Sequence, residues 1–247
     1  MKKIQKNKLF IQITYRDLLE KLWLIYLFKV NCEVYLDPAK INSYNIDEIE
    51  RAAKLLDKRG ISRRVHAPVC DPDKEGFDKY KEIYYKTSRF CKHLGADTIV
   101  MHVEGYWPGE HMYMWKEIAD FADKNSITVL LENHQEISAR PIIKILTAIN
   151  SDRLKACFDV GHFYVFAEKS VTLLLSDYAG DLIKEIHLSD NLGDMDSHLP
   201  LGKGKINFLS FFEALDKTSL DPYYTLEAKD LSGIIKGILY LKRIGRL

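Results

Sequence analysis

"ITVLLENHQEISARPIIKILTAINSDRLKACFDVGH", residues 127–162, is the stretch on which the reading of the fold turns. It opens on an apolar, β-branched run (127–134) that reads as a strand. "RPIIKILTAIN" (140–150) then carries apolar residues at helical spacing, with Pro141 near its start, where a helix tolerates a missing amide hydrogen. "LKACFDVGH" (154–162) is a strand again. A helix between two strands carries the chain back to the edge it left, so the strands run parallel.

The same unit recurs in both directions. Strands are expected at "KLFIQIT" (8–14), "NCEVYLD" (31–37), "RRVHAP" (63–68), "ADTIVMHVEGY" (96–106), "IKEIHLSD" (183–190) and "DPYYTLEAKD" (221–230). Between and after them come helical stretches at 15–30, 45–60, 77–95, 110–125, 170–180, 208–217 and 231–244, with Gly60 and Gly95 as stop signals. "LWLIYLF" (22–28) could also form a strand. Eight strand–helix units in 247 residues match an α/β chain closed into a (β/α)8 TIM barrel. A doubly wound open sheet is the alternative, but the glycine-rich turn usual after its first strand is absent. With no linker or low-complexity segment, residues 1–247 read as one domain.

Composition narrows the function. With 36 basic and 35 acidic residues the formal charge is +1, which argues against a strongly basic nucleic-acid binder. Cys32, Cys70, Cys91 and Cys157 are scattered and form no CxxC pair, so neither a disulfide framework nor a zinc ribbon is indicated. The basic N-terminus has too short an apolar run for a signal peptide, and 22–28 is too short to span a membrane. A cytoplasmic protein without a membrane partner is expected.

Polar residues fall where barrel enzymes keep their chemistry. His66, His102, Glu132, Asp159, His187 and Glu227 each end a strand, flanked mostly by apolar neighbours such as Leu131, Phe158, Ile186, Leu188 and Leu226. Strand residues alternate between axis and helices, so the apolar neighbours face the helices and the six polar residues meet at the carboxyl-terminal mouth. Clustered carboxylates repel one another unless a cation joins them, and mixed with imidazoles they suit a divalent metal. His162, three residues after Asp159, shares the mouth. In "EIHLSDNLGDMDSHLPLGKG" (185–204), Asp196 and His198 lie two apart and would face one way in an extended segment, carried back over the mouth by their loop. Asp190 and Asp194 read as solvated turn formers, and "GKG" (202–204) as turn chemistry more than a phosphate cradle.

With "VHAP" (65–68), "MHVEG" (101–105), "LLEN" (130–133), "FDVGH" (158–162), "IHLSDN" (186–191), "DSHLPLGKG" (196–204) and "LEAK" (226–229), the chain resembles the xylose isomerase-like barrel superfamily. That group includes sugar and sugar-phosphate isomerases and epimerases and the family 2 AP endonucleases. The isomerase branch implies one divalent ion held by Glu132, Asp159, His187 and Glu227, with Glu132 and Glu227 moving a proton beside a carbonyl and His162 contacting substrate. The endonuclease branch implies three zinc ions and nine ligands, whose counterparts are His66, His102, Glu132, Asp159, His162, His187, Asp196, His198 and Glu227. Two departures bear on the choice. The loop after His66, "APVCDPDKEG", is acidic and lacks an aromatic to stack in a duplex. The loop after His187 lacks the arginine often found in epimerases. The resemblance therefore implies an isomerase- or epimerase-like enzyme acting on a small sugar-like substrate, with more than one divalent ion (Zn, Mn, Mg or Co). An endonuclease or other phosphoesterase is the alternative.

Overall fold

A computed structural model describes residues 2–70, 72–103, 112–134, 139–167 and 182–247. Eight parallel strands close into a barrel in chain order: β1 (Leu9–Thr14), β2 (Asn31–Tyr35), β3 (Arg63–His66), β4 (Thr98–Val103), β5 (Thr128–Asn133), β6 (Leu154–Asp159), β7 (Ile183–Leu188) and β8 (Tyr223–Leu226). β8 pairs with β1 through Leu9–Tyr224 to Ile11–Leu226, so no edge is left open. The described helices longer than two turns are α1 (Leu18–Phe28), α2 (Ile46–Asp57), α3 (Phe77–Leu94), α4 (Met112–Asn125), α5 (Ala139–Ile149), α6 (Phe208–Asp216) and α7 (Leu231–Arg243). The helix expected at 170–180 lies outside the described residues, as do 104–111 of the loop after β4. "LWLIYLF" belongs to α1, where Leu22, Leu24 and Ile25 are buried.

Local signals set the helix ends. Asn45 caps α2 by accepting from the amides of Asp47 and Glu48, and Asp230 caps α7 by accepting from Gly233 N. Gly95 ends α3 at φ 68°, a left-handed backbone that a side chain would strain. No helix among the described residues is long and apolar enough to cross a membrane.

The core is a shell between strands and helices. Leu131, Phe158, Ile186, Leu188 and Leu226 pack outward into it, each burial contributing roughly 1.5–3 kcal/mol. Inside the barrel the apolar filling is thin: Val100, Leu130 and Cys157 form a small separate cluster. Bulky branched side chains usually occupy such an interior. Here Arg64 lies between the rings of Phe10 and Tyr223, at 4.2 and 4.1 Å, and pairs with buried Glu185, which also accepts from Thr225 Oγ1 at 2.5 Å. Above them lie Gln12 and Glu33, Cα partners across β1 and β2. The polar column leads directly to the mouth.

Candidate metal centre

Alternation along the strands delivers the side chains. Glu132, Asp159, His187, His66, Glu227 and His102 are all buried at the carboxyl ends of β5, β6, β7, β3, β8 and β4. Glu132 lies at the centre. Its Oε2 is 2.9 Å from His66 Nε2 and 3.1 Å from His102 Nε2. Its Oε1 is 3.2 Å from His187 Nδ1 and 3.5 Å from His162 Nδ1. His187 Nδ1 in turn lies 2.9 Å from Glu227 Oε1.

His162 follows β6 on a single helical turn, Val160–His162, capped by Asp159, whose Oδ1 accepts from His162 N at 2.5 Å. The glycine of "FDVGH" is required sterically. A Cβ on Gly161 would fall 2.1 Å from Ser189 Oγ and 2.8 Å from Asn191 Nδ2. Asn133 pins the end of β6, accepting from Asp159 N and donating to its carbonyl.

The loop after β7 supplies Asp196 and His198. Asp196 Oδ2 lies 2.7 Å from His198 Nε2 and 3.2 Å from His162 Nε2, and His198 Nδ1 lies 3.4 Å from Glu227 Oε2. The two loop residues converge, but not along an extended segment: His198 has φ 42°, so a left-handed turn brings the side chains together. Asp190 is not solvated. It is fully buried, and its carboxylate accepts from the amides of Asn191, Gly202, Gly204 and Ile206. In "GKG" the amides of Gly202 and Gly204 are thus taken by Asp190 and that of Lys203 by the Pro200 carbonyl, so the segment cradles no phosphate. Asp194 is the exposed turn former expected, accepting from Met195 N.

The donors fall into groups whose ligand atoms lie within 4.8 Å of one another: His66 with His102 and Glu132, Glu132 with His187 and Cys157, and His162 with Asp196 and His198. Glu132 Oε1, Asp159 Oδ2 and His187 Nδ1 are buried without a hydrogen-bond partner, the condition a bound cation would relieve. Electrostatics agree. Burial, reinforced by the Glu227 and Glu132 charges, pushes Asp159 up to about 7 against the pull of His162. Burial pulls His66 down, but Glu132, Glu33 and Glu227 outweigh it and raise the imidazole to about 9. Burial lowers His102 to about 3 despite its contact with Glu132. The residues present fit divalent metal, with imidazoles favouring zinc and the carboxylate-rich side suiting manganese, magnesium or cobalt.

All nine proposed ligand positions meet at this mouth. Residues the strand-end rule does not reach also come in. Glu33 lies two residues before the end of β2, inside the barrel, and groups with His66, His187 and Glu227. His134, one residue past β5, stacks on His102 at 4.2 Å and groups with His102 and His162. Continuing the alternation backward along β2 would have found Glu33; nothing in the loop sequence marks His134.

Residues 32–244 match the model of the family described as xylose isomerase-like TIM barrel. The chain belongs to that family. An uncharacterized protein of Methanocaldococcus jannaschii, MJ1311, is 24% identical over 216 residues, covering 78% of this chain and 73% of that protein. Among solved structures, a D-tagatose 3-epimerase-like protein superposes with TM-score 0.75 at 22% identity, covering 96% of each chain. The TTHB071 protein of Thermus thermophilus, soaked with ZnCl2, gives 0.73 at 22% identity over 96% of this chain and 97% of that one. An AP endonuclease, family 2, of Brucella melitensis gives 0.69 at 13% identity over 97% and 99%. At these identities the superpositions show the fold.

Proposed function

We propose that the protein is a divalent-metal-dependent isomerase or epimerase acting on a small sugar-like molecule. The observation that carries this reading is the convergence of Glu132, Asp159, His187 and Glu227 beneath a mouth cavity of about 270 Å³ lined by Tyr35, His162, Glu227 and Lys229 among others. That lies just below the usual range for ligand sites, roughly 300 Å³ upward, and suits only a small molecule. A divalent ion held by these four residues would supply a Lewis acid for a carbonyl oxygen. Glu227 lines the cavity and would take the proton from the carbon beside that carbonyl, and Glu132 would return one. His162, also in the lining, would hold a substrate hydroxyl, and Tyr35 would help exclude water.

The test offers ketoses, aldoses and their phosphates in deuterated water with Mn²⁺ and follows deuterium on the carbon next to the carbonyl. Exchange that disappears in Glu227→Gln supports the reading. No exchange with any sugar would overturn it.

A second reading is favoured by one observation: Asp196 sits between His162 and His198, and Glu132 between two pairs of imidazoles, so more donors converge than one ion needs. That supply suits a multi-ion phosphoesterase, in which Glu132 would join two ligand groups and Asp196 with His198 would serve the leaving oxygen. Metal-dependent cleavage of abasic DNA or a small phosphoester, without sugar exchange, would select it. For DNA, binding should also weaken steeply with salt.

A further inference from the structure

Glu33 is a fully buried carboxylate in the middle of β2, and neither reading above uses it. Its Oε1 accepts from Gln12 Nε2 at 3.2 Å, and the same amide donates to Glu227 Oε1. The side chain is therefore held at one oxygen. The other, Oε2, lies 3.4 Å from His187 Nε2, and both of these atoms are buried without a hydrogen-bond partner. A closing movement of a few tenths of an ångström would bring the pair into hydrogen-bond range.

The two nitrogens of His187 face different ways. Nδ1 faces the oxygens of Glu227 and Glu132, among the candidate ligands; Nε2 faces down the barrel to Glu33. An imidazole that gives one nitrogen to a metal carries its proton on the other, and an acceptor there fixes both ring orientation and tautomer. Lysine or arginine at the same depth could not accept. Arg64, the buried cation in the column, is already paired with Glu185.

We infer that Glu33 is a positioning residue for the metal centre: held by Gln12, it accepts the Nε2 hydrogen of His187 and so presents Nδ1 to the ion. The inference rests on His187 being a metal ligand, the part common to the isomerase and phosphoesterase readings, and is independent of which reaction is catalysed.

The full chain is stripped with chelator and titrated with Zn²⁺ and Co²⁺, wild type beside Glu33→Leu and the isosteric Glu33→Gln. Glu33→Leu should weaken the affected ion about 10–100-fold, the usual effect of losing such a partner, with Glu33→Gln intermediate. The visible absorption of bound Co²⁺ should shift, because the orientation of a ligand ring changes. In the zinc-loaded protein, the His187 Nε2–H NMR signal should lose its protection from solvent exchange in Glu33→Leu. A merely structural role would move none of these and would instead lower the melting temperature of the metal-free protein. Wild-type affinity and an unchanged cobalt spectrum in both variants would overturn the role of Glu33 while leaving the metal centre intact. A wild-type chain that binds no divalent ion would overturn both.

Discussion

Replacing Asp190 should detach the loop that carries Asp196 and His198. One carboxylate there serves four amides: Gly202 N at 2.9 Å and Gly204 N at 2.8 Å on Oδ2, Asn191 N at 2.9 Å and Ile206 N at 3.2 Å on Oδ1. Asp190→Ala would leave these donors without an acceptor. A buried group left unsatisfied costs about 1–3 kcal/mol, and entering water can serve some of the four. A loss of about 3–5 kcal/mol follows, a large part of the 5–15 kcal/mol typical of a whole domain. Asp190→Asn is the sharper test. Each oxygen accepts two amides, so whichever way the asparagine turns, its NH2 faces two donors. We expect about 2–4 kcal/mol despite unchanged shape. Denaturant unfolding of the metal-free protein measures the loss, and metal analysis should show fewer bound ions because Asp196 and His198 are no longer held. Asp190→Asn with wild-type stability and metal content would refute the reasoning.

The paired substitution Asp196→Ala with His198→Ala should remove one bound ion and leave at least one, read by elemental analysis; a count unchanged from wild type would make the loop purely structural. Metal affinity should rise with pH up to about 9, because His66 and His198 are both raised to about 9 by surrounding carboxylates that outweigh burial, and their protons must leave before metal binds. Calorimetry in buffers of different ionisation enthalpy would show that proton release. In the metal-free protein the sign is opposite: raised imidazoles stabilise the fold below their unfolded value of 6.5, and that contribution should fade as pH climbs through about 9. Arg64→Leu should destabilise by about 3–5 kcal/mol by stranding Glu185, and adding Glu185→Leu should recover most of it, both read by chemical unfolding.

The barrel was legible in the sequence because its signal is local. A strand with an apolar helix-facing side and a helix with one apolar stripe must each bury those faces, and eight such pairs can close on themselves. The convergence of the six strand-end residues was legible for the same reason: period-two alternation assigns a side chain to the axis from its neighbours alone. His162 followed from its distance to Asp159. Beyond that point tertiary structure decided. Whether Asp190 is solvated or buried depends on where Gly202, Gly204 and Ile206 lie, twelve to sixteen residues on. Asp196 meets His198 through a left-handed turn that no alternation rule describes. Alternation along β2 puts Glu33 on the axis side, but only the closed barrel shows it beside Gln12 and beneath His187. Local periodicity records which face a residue occupies. Which groups then share a buried, low-dielectric space is settled by contacts across the chain, and that sharing sets the charges and orientation of the candidate centre.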